Sequence, residues 1–367
     1  VNGARRAVGL VLAAVLLAGV VVAVVVSRQG SETGGGRPDV IVVRGIAGSE
    51  KQPFFDDPAV VAAFARAGYR VEVDYAGSRD IVAQVKENPK AYDFAFPSGA
   101  PQGSRIAQDT GGRGYVPFFS PMAIATFQPL AELLVTNNLA QKINDNYYQL
   151  DMAKYLDALR QNVRWSQLTG NTVFPTDKSV LISSTDLRSS NSAAMYLALM
   201  SYTANGNDIV ADPATADRVA GLLAPAFTKQ GFTDGSSEGP FEDYLSGGMG
   251  ARPMVMIYEA QFLAAQVAKT TTPQMVLMYP SPTSYSKHTL VGLTAGGRAL
   301  GELLTGDATL LRLAVRHGFR TADRSYASAF ARDNGIPEPP PLVNVVDAPT
   351  YDIMEKMITD IAGPAGS

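Results

Sequence analysis

Beyond residue 38 the chain alternates short apolar runs with amphipathic stretches. Residues 40–43 (VIVV) form a β-branched run followed by the polar turn GIAGSEK. Across 58–67, Val60, Val61 and Phe64 recur at helical spacing. Residues 69–74 (YRVEVD) alternate with period two and read as a strand leading into AGSRD. A helix is predicted over 81–87 and a strand over 92–96 (YDFAF), which ends in PSG. Strand, helix, strand, helix, strand is the order that builds a parallel sheet with right-handed crossovers. Such sheets bind ligands beyond the carboxyl ends of their strands. Those ends carry Gly48-Ser49, Gly77-Ser78 and Ser98-Gly99.

The middle of the chain is patterned differently. Residues 130–160 read as helical and polar-faced, with Tyr147, Tyr148, Met152 and Tyr155 along them. Residues 179–184 (SVLISS) read as a buried strand, and a helix follows that Ser190, Asn191 or Ser192 can cap. Its first N–H groups would face the sheet edge. A helix is predicted over 213–226, and strands over 252–258 (RPMVMIY, ending at Glu259) and 275–279 (MVLMY). Helices return over 295–304 and 309–317, the second stopped by Gly318. The PEPPP stretch at 337–341 cannot be regular structure, and 353–361 is a final amphipathic helix. The sequence shows no internal repeat.

Residues 7–26 (AVGLVLAAVLLAGVVVAVVV) are an uninterrupted apolar or small run. At 1.5 Å per residue such a run spans about 30 Å, the hydrocarbon thickness of a bilayer. Arg5 and Arg6 before it and Arg28 after it place residues 1–6 in the cytoplasm. The run is longer than a signal-peptide core and lacks a good small-x-small cleavage site, so the reading is an uncleaved transmembrane anchor, with a cleaved signal peptide as the competing one. Either way the remainder lies outside the cytoplasm, and the anchored form is a single-pass protein of the cell membrane. Residues 27–38 (SRQGSETGGGRP) then serve as a flexible, Gly-rich linker.

Composition narrows the function. The chain of 367 residues leaves enough beyond the linker for two domains with their own cores. A net charge of -3 with scattered Lys and Arg argues against nucleic acid. Cysteine is absent, which removes disulfides, thiolate metal sites, a Cys nucleophile and a lipid-carrying Cys. With only His288 and His317, no His-rich metal site can be built. No G-x-S-x-G elbow, H-E-x-x-H, Walker loop or G-x-G-x-x-G occurs. The chain is therefore read as a non-enzyme with no cofactor and no metal.

The ordered set GSEK (48–51), AGSRDI (76–81), YDFAFPS (92–98), SPMAI (120–124), SSNSA (189–193), YEAQF (258–262), YPSPT (279–283) and HGFR (317–320) resembles the type 2 periplasmic binding protein fold, in particular the bacterial extracellular solute-binding family with molybdate- and sulfate-binding relatives. The resemblance covers roughly 39–331. It implies an α/β, two-lobed architecture with central mixed sheets and a hinge, preceded here by one transmembrane helix. Lobe 1 would be discontinuous, 39–119 plus 290–367, and lobe 2 would be 128–278. The segments 120–127 and 279–289 would cross between them as the hinge. The lipobox Cys of relatives is missing, and SSNSA stands where many of them have a Gly.

Ligand would sit between the lobes and drive near-rigid closure. Gly-Ser turns at helix starts offer N–H groups, the positive dipole end and a small hydroxyl, which suit oxyanions and carboxylates. Ser49, Ser78 and Ser98 from lobe 1 and Asn191 and Ser192 from lobe 2 are the candidates; each could instead only cap its own helix. Lys51, Arg79 and Arg188 lie near those turns and read as solvated charges or as anion partners. Tyr258 and Glu259 close a strand, and a carboxylate there would favour a cationic or hydroxylated ligand over an oxyanion. Tyr285 flanks a hinge segment and could cover a ligand. His288 reads as structural and His317 as a helix C-cap. The expected partners are a small-molecule or anion ligand, the membrane through the N-terminal helix, and a transporter or another membrane protein. A binding-protein fold retained as a sensor or scaffold subunit with a degenerate site is the rival reading.

Overall fold

The computed structural model describes residues 40–230 and 234–363. The transmembrane reading of 7–26 and the linker reading of 27–38 fall outside them. No helix among the described residues is long and apolar enough to cross a membrane.

Nine strands form among the described residues: β1 (Ile41–Gly48), β2 (Tyr69–Ala76), β3 (Phe94–Phe96), β4 (Arg113–Phe127), β5 (Ala140–Lys142), β6 (Tyr147–Asp151), β7 (Met254–Tyr258), β8 (Met275–Ser281) and β9 (Tyr285–Gly292). Their neighbour order is β2-β1-β3-β9-β4-β8-β6-β5, with β7 also paired to β4. β1 runs parallel to both β2 and β3, with the helices Pro58–Arg66 and Ser78–Glu87 as crossovers. The first crossover starts where the pattern predicts: Asp57 accepts from the Ala59 N–H at 2.7 Å and Pro58 occupies the first turn.

The long strand β4 joins two sheets. Its first half pairs antiparallel with β9, and its second half pairs antiparallel with β7 and β8. The β4–β9 register shifts between Tyr115 and Phe118. Pro117 lies in that gap, and proline has no N–H to give to a ladder. β9 continues across to β3, antiparallel, so the parallel trio is completed from the far end of the chain.

Apolar side chains gather into two main cores. One holds Val43, Phe54, Phe94, Phe96, Phe118, Leu290, Leu300 and Phe319. The other holds Met122, Ile124, Tyr147, Trp165, Ile182, Leu197, Phe227, Met256 and Leu277. Ile353, Met354, Met357, Ile358 and Ile361 also belong to this second core. The apolar face of the helix Tyr351–Ala362 therefore packs into the second core. Its apolar stripe has the period of a surface helix, and the pattern alone cannot say which sheet it covers.

Three local expectations change. The stretch 130–160 is not one helix: Gln128–Thr136 ends near Asn138, which has φ of 58°, and the β5–β6 hairpin precedes Met152–Arg160. Residues 179–184 make only isolated bridges, Ser179 to Arg164 and Ser183 to Val255, although Val180 and Ile182 are buried. The helix Asn191–Ala204 has Ser190 at its N-cap position without a side-chain cap; the Ser190 hydroxyl meets Ser192 Oγ at 3.0 Å instead.

Candidate functional site

The carboxyl ends of β1, β2 and β3 deliver Glu50, Lys51, Ser78 and Ser98 to one place. Ser98 N–H donates to Ser78 Oγ at 3.0 Å, and the two hydroxyls are 3.1 Å apart. Ser98 Oγ donates to Glu50 Oε1 at 2.5 Å. Lys51 Nζ hydrogen-bonds to the same Glu50 oxygen and lies 3.4 Å from Ser98 Oγ. The Lys51 ammonium is wholly buried and stands 4.8 Å from the centre of the Phe96 ring.

The other face of this cluster comes from β7, β9 and the helix Asn191–Ala204. Asn191 Nδ2 donates to Tyr258 Oη at 3.0 Å and reaches Ser286 Oγ at 3.4 Å. Ser286 Oγ donates to the Ser98 carbonyl, linking the two faces directly. Ser286 and His288 are two residues apart on β9 and so share one side of the strand. His288 Nδ1 lies 3.3 Å from Glu50 Oε1, Nε2 has no hydrogen-bond partner, and the ring is wholly buried against Phe118, Tyr258 and Phe319. Two glycines permit the close approach. A Cβ at Gly99 would lie 2.6 Å from Asn191 Oδ1, and one at Gly77 would lie 2.8 Å from the Ser189 carbonyl oxygen.

The electrostatics follow from burial and pairing. Burial alone would raise the Glu50 carboxyl, but the Lys51 ammonium and His288 outweigh it and hold the group far below the usual carboxylate range. Burial lowers Lys51, opposed by Glu50. Burial, with Lys51 nearby, pushes His288 down to about 4, so it is neutral at pH 7. Burial, then the Glu50 charge, raises the Tyr258 phenol, which stays protonated. The cluster thus sets the Glu50 carboxylate, which keeps a narrow opening to solvent, against the wholly buried Lys51, among neutral donors.

Arg79, in the first turn after β2, reaches across to the loop before Asn191. Its Nη1 donates to the Leu187 and Arg188 carbonyls at 3.1 and 2.6 Å, and its Nε donates to Glu355 at 2.8 Å. Arg188 pairs with Asp186.

Of the eight residues singled out from the sequence, Ser78, Ser98, Asn191 and Tyr258 meet in the cluster. Ser192 lies beside it but turns to Thr185 Oγ1 at 2.9 Å. Ser49 is exposed, the turn presenting its neighbours Glu50 and Lys51 inward instead. Glu259 points elsewhere: Arg320 grips it with Nε and Nη2 at 2.7 and 2.6 Å, and Tyr279 Oη donates at 2.5 Å. Glu259 and Tyr285 line a separate cavity of about 220 Å³ with Phe119, Phe319 and Arg320, and Tyr285 packs on Phe119 at 4.9 Å. Sequence reasoning missed Glu50 and Ser286, left Lys51 open between a solvated charge and an anion partner, and read His288 as structural. The signal for Glu50 and Lys51 was there: opposite charges side by side in the turn closing an apolar strand.

Neither a family model nor a curated protein sequence matches the chain. Solved structures do. The sulfate-binding protein SubI from Mycobacterium tuberculosis H37Rv is 16% identical, over 85% of this chain and 95% of that one, with a TM-score of 0.52. The substrate binding protein of an ABC transporter from Agrobacterium tumefaciens is 13% identical, over 89% and 96%, with a TM-score of 0.54. The periplasmic binding protein AfuA from Actinobacillus pleuropneumoniae, solved with exogenous fructose-6-phosphate, is 11% identical, over 87% and 94%, with a TM-score of 0.51. Together with the mixed sheets shared through β4, these likenesses show that the chain has the type 2 periplasmic binding protein fold, the fold of ABC-transporter substrate-binding proteins.

Proposed function

We propose that the protein is an extracytoplasmic solute-binding protein, not an enzyme, that closes two lobes on a small polar solute for transport or sensing. The lobes are 40–119 with 290–340, and 128–278 with 351–362; 120–127 and 279–289 are the hinge crossings. The observation that carries this reading is the buried polar cluster. Lys51, Ser78 and Ser98 on one side meet Asn191 and Tyr258 on the other, with Ser286 and His288 between them. Buried donors with this degree of convergence suit a ligand that both halves must reach. The relatives' ligands, sulfate and fructose-6-phosphate, show what this fold accommodates elsewhere. Residues 7–26 would hold the protein at one membrane, beside a transporter or another membrane partner.

Calorimetry and thermal melting against oxyanions, sugars and polyols, and amines test the reading. A cognate solute raises the melting temperature by mass action, by about 2.7 kcal/mol of stability at one hundred times Kd. Silence across all three classes, with a protein captured stably, would favour a scaffold or sensor subunit. That second reading draws support from Glu50, whose carboxylate already occupies donors a solute would use.

A further inference from the structure

We propose that Glu50 is a tethered occupant of the anion seat formed by Lys51, Ser98 and His288, and so sets the ligand class: the native site refuses free oxyanions and takes uncharged or cationic hydrogen-bonding solutes. This inference rests on the solute-binding reading above and deepens it.

The donors around Glu50 Oε1 are those an oxyanion needs. Lys51 and Ser98 donate to it, and His288 Nδ1 stands at 3.3 Å. Lys51 and His288 are wholly buried, and the His288 ring has no other polar partner. A separation of 2.5 Å between Ser98 Oγ and Glu50 leaves no room for a second acceptor. A free oxyanion must therefore expel the carboxylate. It would then compete with a group held on the same loop, whose effective concentration is on the order of millimolar or higher. Any part of Glu50 left nearby also repels it at low dielectric. A hydroxyl or ammonium meets no such repulsion, because Glu50 can accept from it. The charge balance agrees: Glu50 and Lys51 already cancel, and a further anion would find no unpaired cation in the cluster.

The test compares the full chain in detergent with its Glu50→Gln and Glu50→Ala variants, titrated with sulfate and phosphate by calorimetry at matched ionic strength. The expected result is a gain of about 100-fold or more in oxyanion affinity in both variants, as the tethered competitor is removed. Chloride should not reproduce it. Should a variant fold poorly, its refolding yield in sulfate against chloride of equal ionic strength reads the same seat, and only sulfate should rescue it. Native affinity for sulfate or phosphate equal to that of the variants overturns the inference while leaving solute binding intact. No gain and no rescue in either variant also overturns it. In that case the amine and polyol titrations of the native chain decide separately whether the solute-binding reading stands.

Discussion

Arg320→Met is the most informative single substitution for the architecture. It keeps the long apolar stem and removes the guanidinium that makes two charge-assisted bonds to Glu259. Glu259 is wholly buried, and its remaining partner is the Tyr279 hydroxyl. Breaking a buried pair from one side strands a charge and costs about 3–5 kcal/mol.

Replacing both partners, Glu259→Met with Arg320→Met, removes the stranded charge and should recover most of the loss. Urea unfolding followed by fluorescence of Trp165, the only tryptophan and a buried one, gives the free energies. An unchanged denaturant slope shows that the comparison is clean, and the double-mutant cycle isolates the pair. A loss below about 1 kcal/mol at pH 8, or a double variant as weak as the sum of the singles, would refute the reasoning.

Three further outcomes are expected. The folded pKa of His288, about 4 against an ordinary 6.5, means the unfolded state takes up the proton first, so stability should fall as pH drops from 6.5 toward 4; His288→Leu should flatten that part of a stability–pH curve, and an unchanged slope would contradict the assignment. Arg79→Ala removes bonds to Glu355 and to the Leu187 and Arg188 carbonyls, so stability should drop by about 2–3 kcal/mol and the radius of gyration should rise in small-angle scattering; neither changing would show that Arg79 is no clasp. Met357→Ala opens a void in the second core, where Met357 is wholly buried, and should cost about 2–5 kcal/mol by chemical denaturation; a change under about 1 kcal/mol would deny that the helix Tyr351–Ala362 belongs to that core.

The parallel trio β1, β2 and β3 was legible because each strand is an apolar or alternating run that ends in a small polar turn. That same punctuation exposed Ser78, Ser98 and Asn191. β4 was hidden because it runs through Pro117 and Pro121, residues that are uncommon inside strands. β9 was hidden because its inward positions Ser286 and His288 are polar, which blurs the period-two signal where the site is built. Lys51 reads as a solvated charge or as an anion partner, since lysines rarely bury. Glu50 beside it and Ser98 make its burial tolerable, and sequence spacing does not reveal Ser98. Glu259 was singled out, but its guanidinium partner lies 61 residues downstream, where the strand pattern gives no sign of it.

The return of residues 353–361 to the second core bears on how the protein is made. A ribosome extrudes 122–279 long before those five apolar side chains emerge, and β9 likewise arrives well after β1 and β3. Neither half can be finished in order of translation, so the nascent chain must keep unsealed apolar faces until those later segments are out. Chaperone escort, or delayed collapse, is the demand that this threading places on the cell.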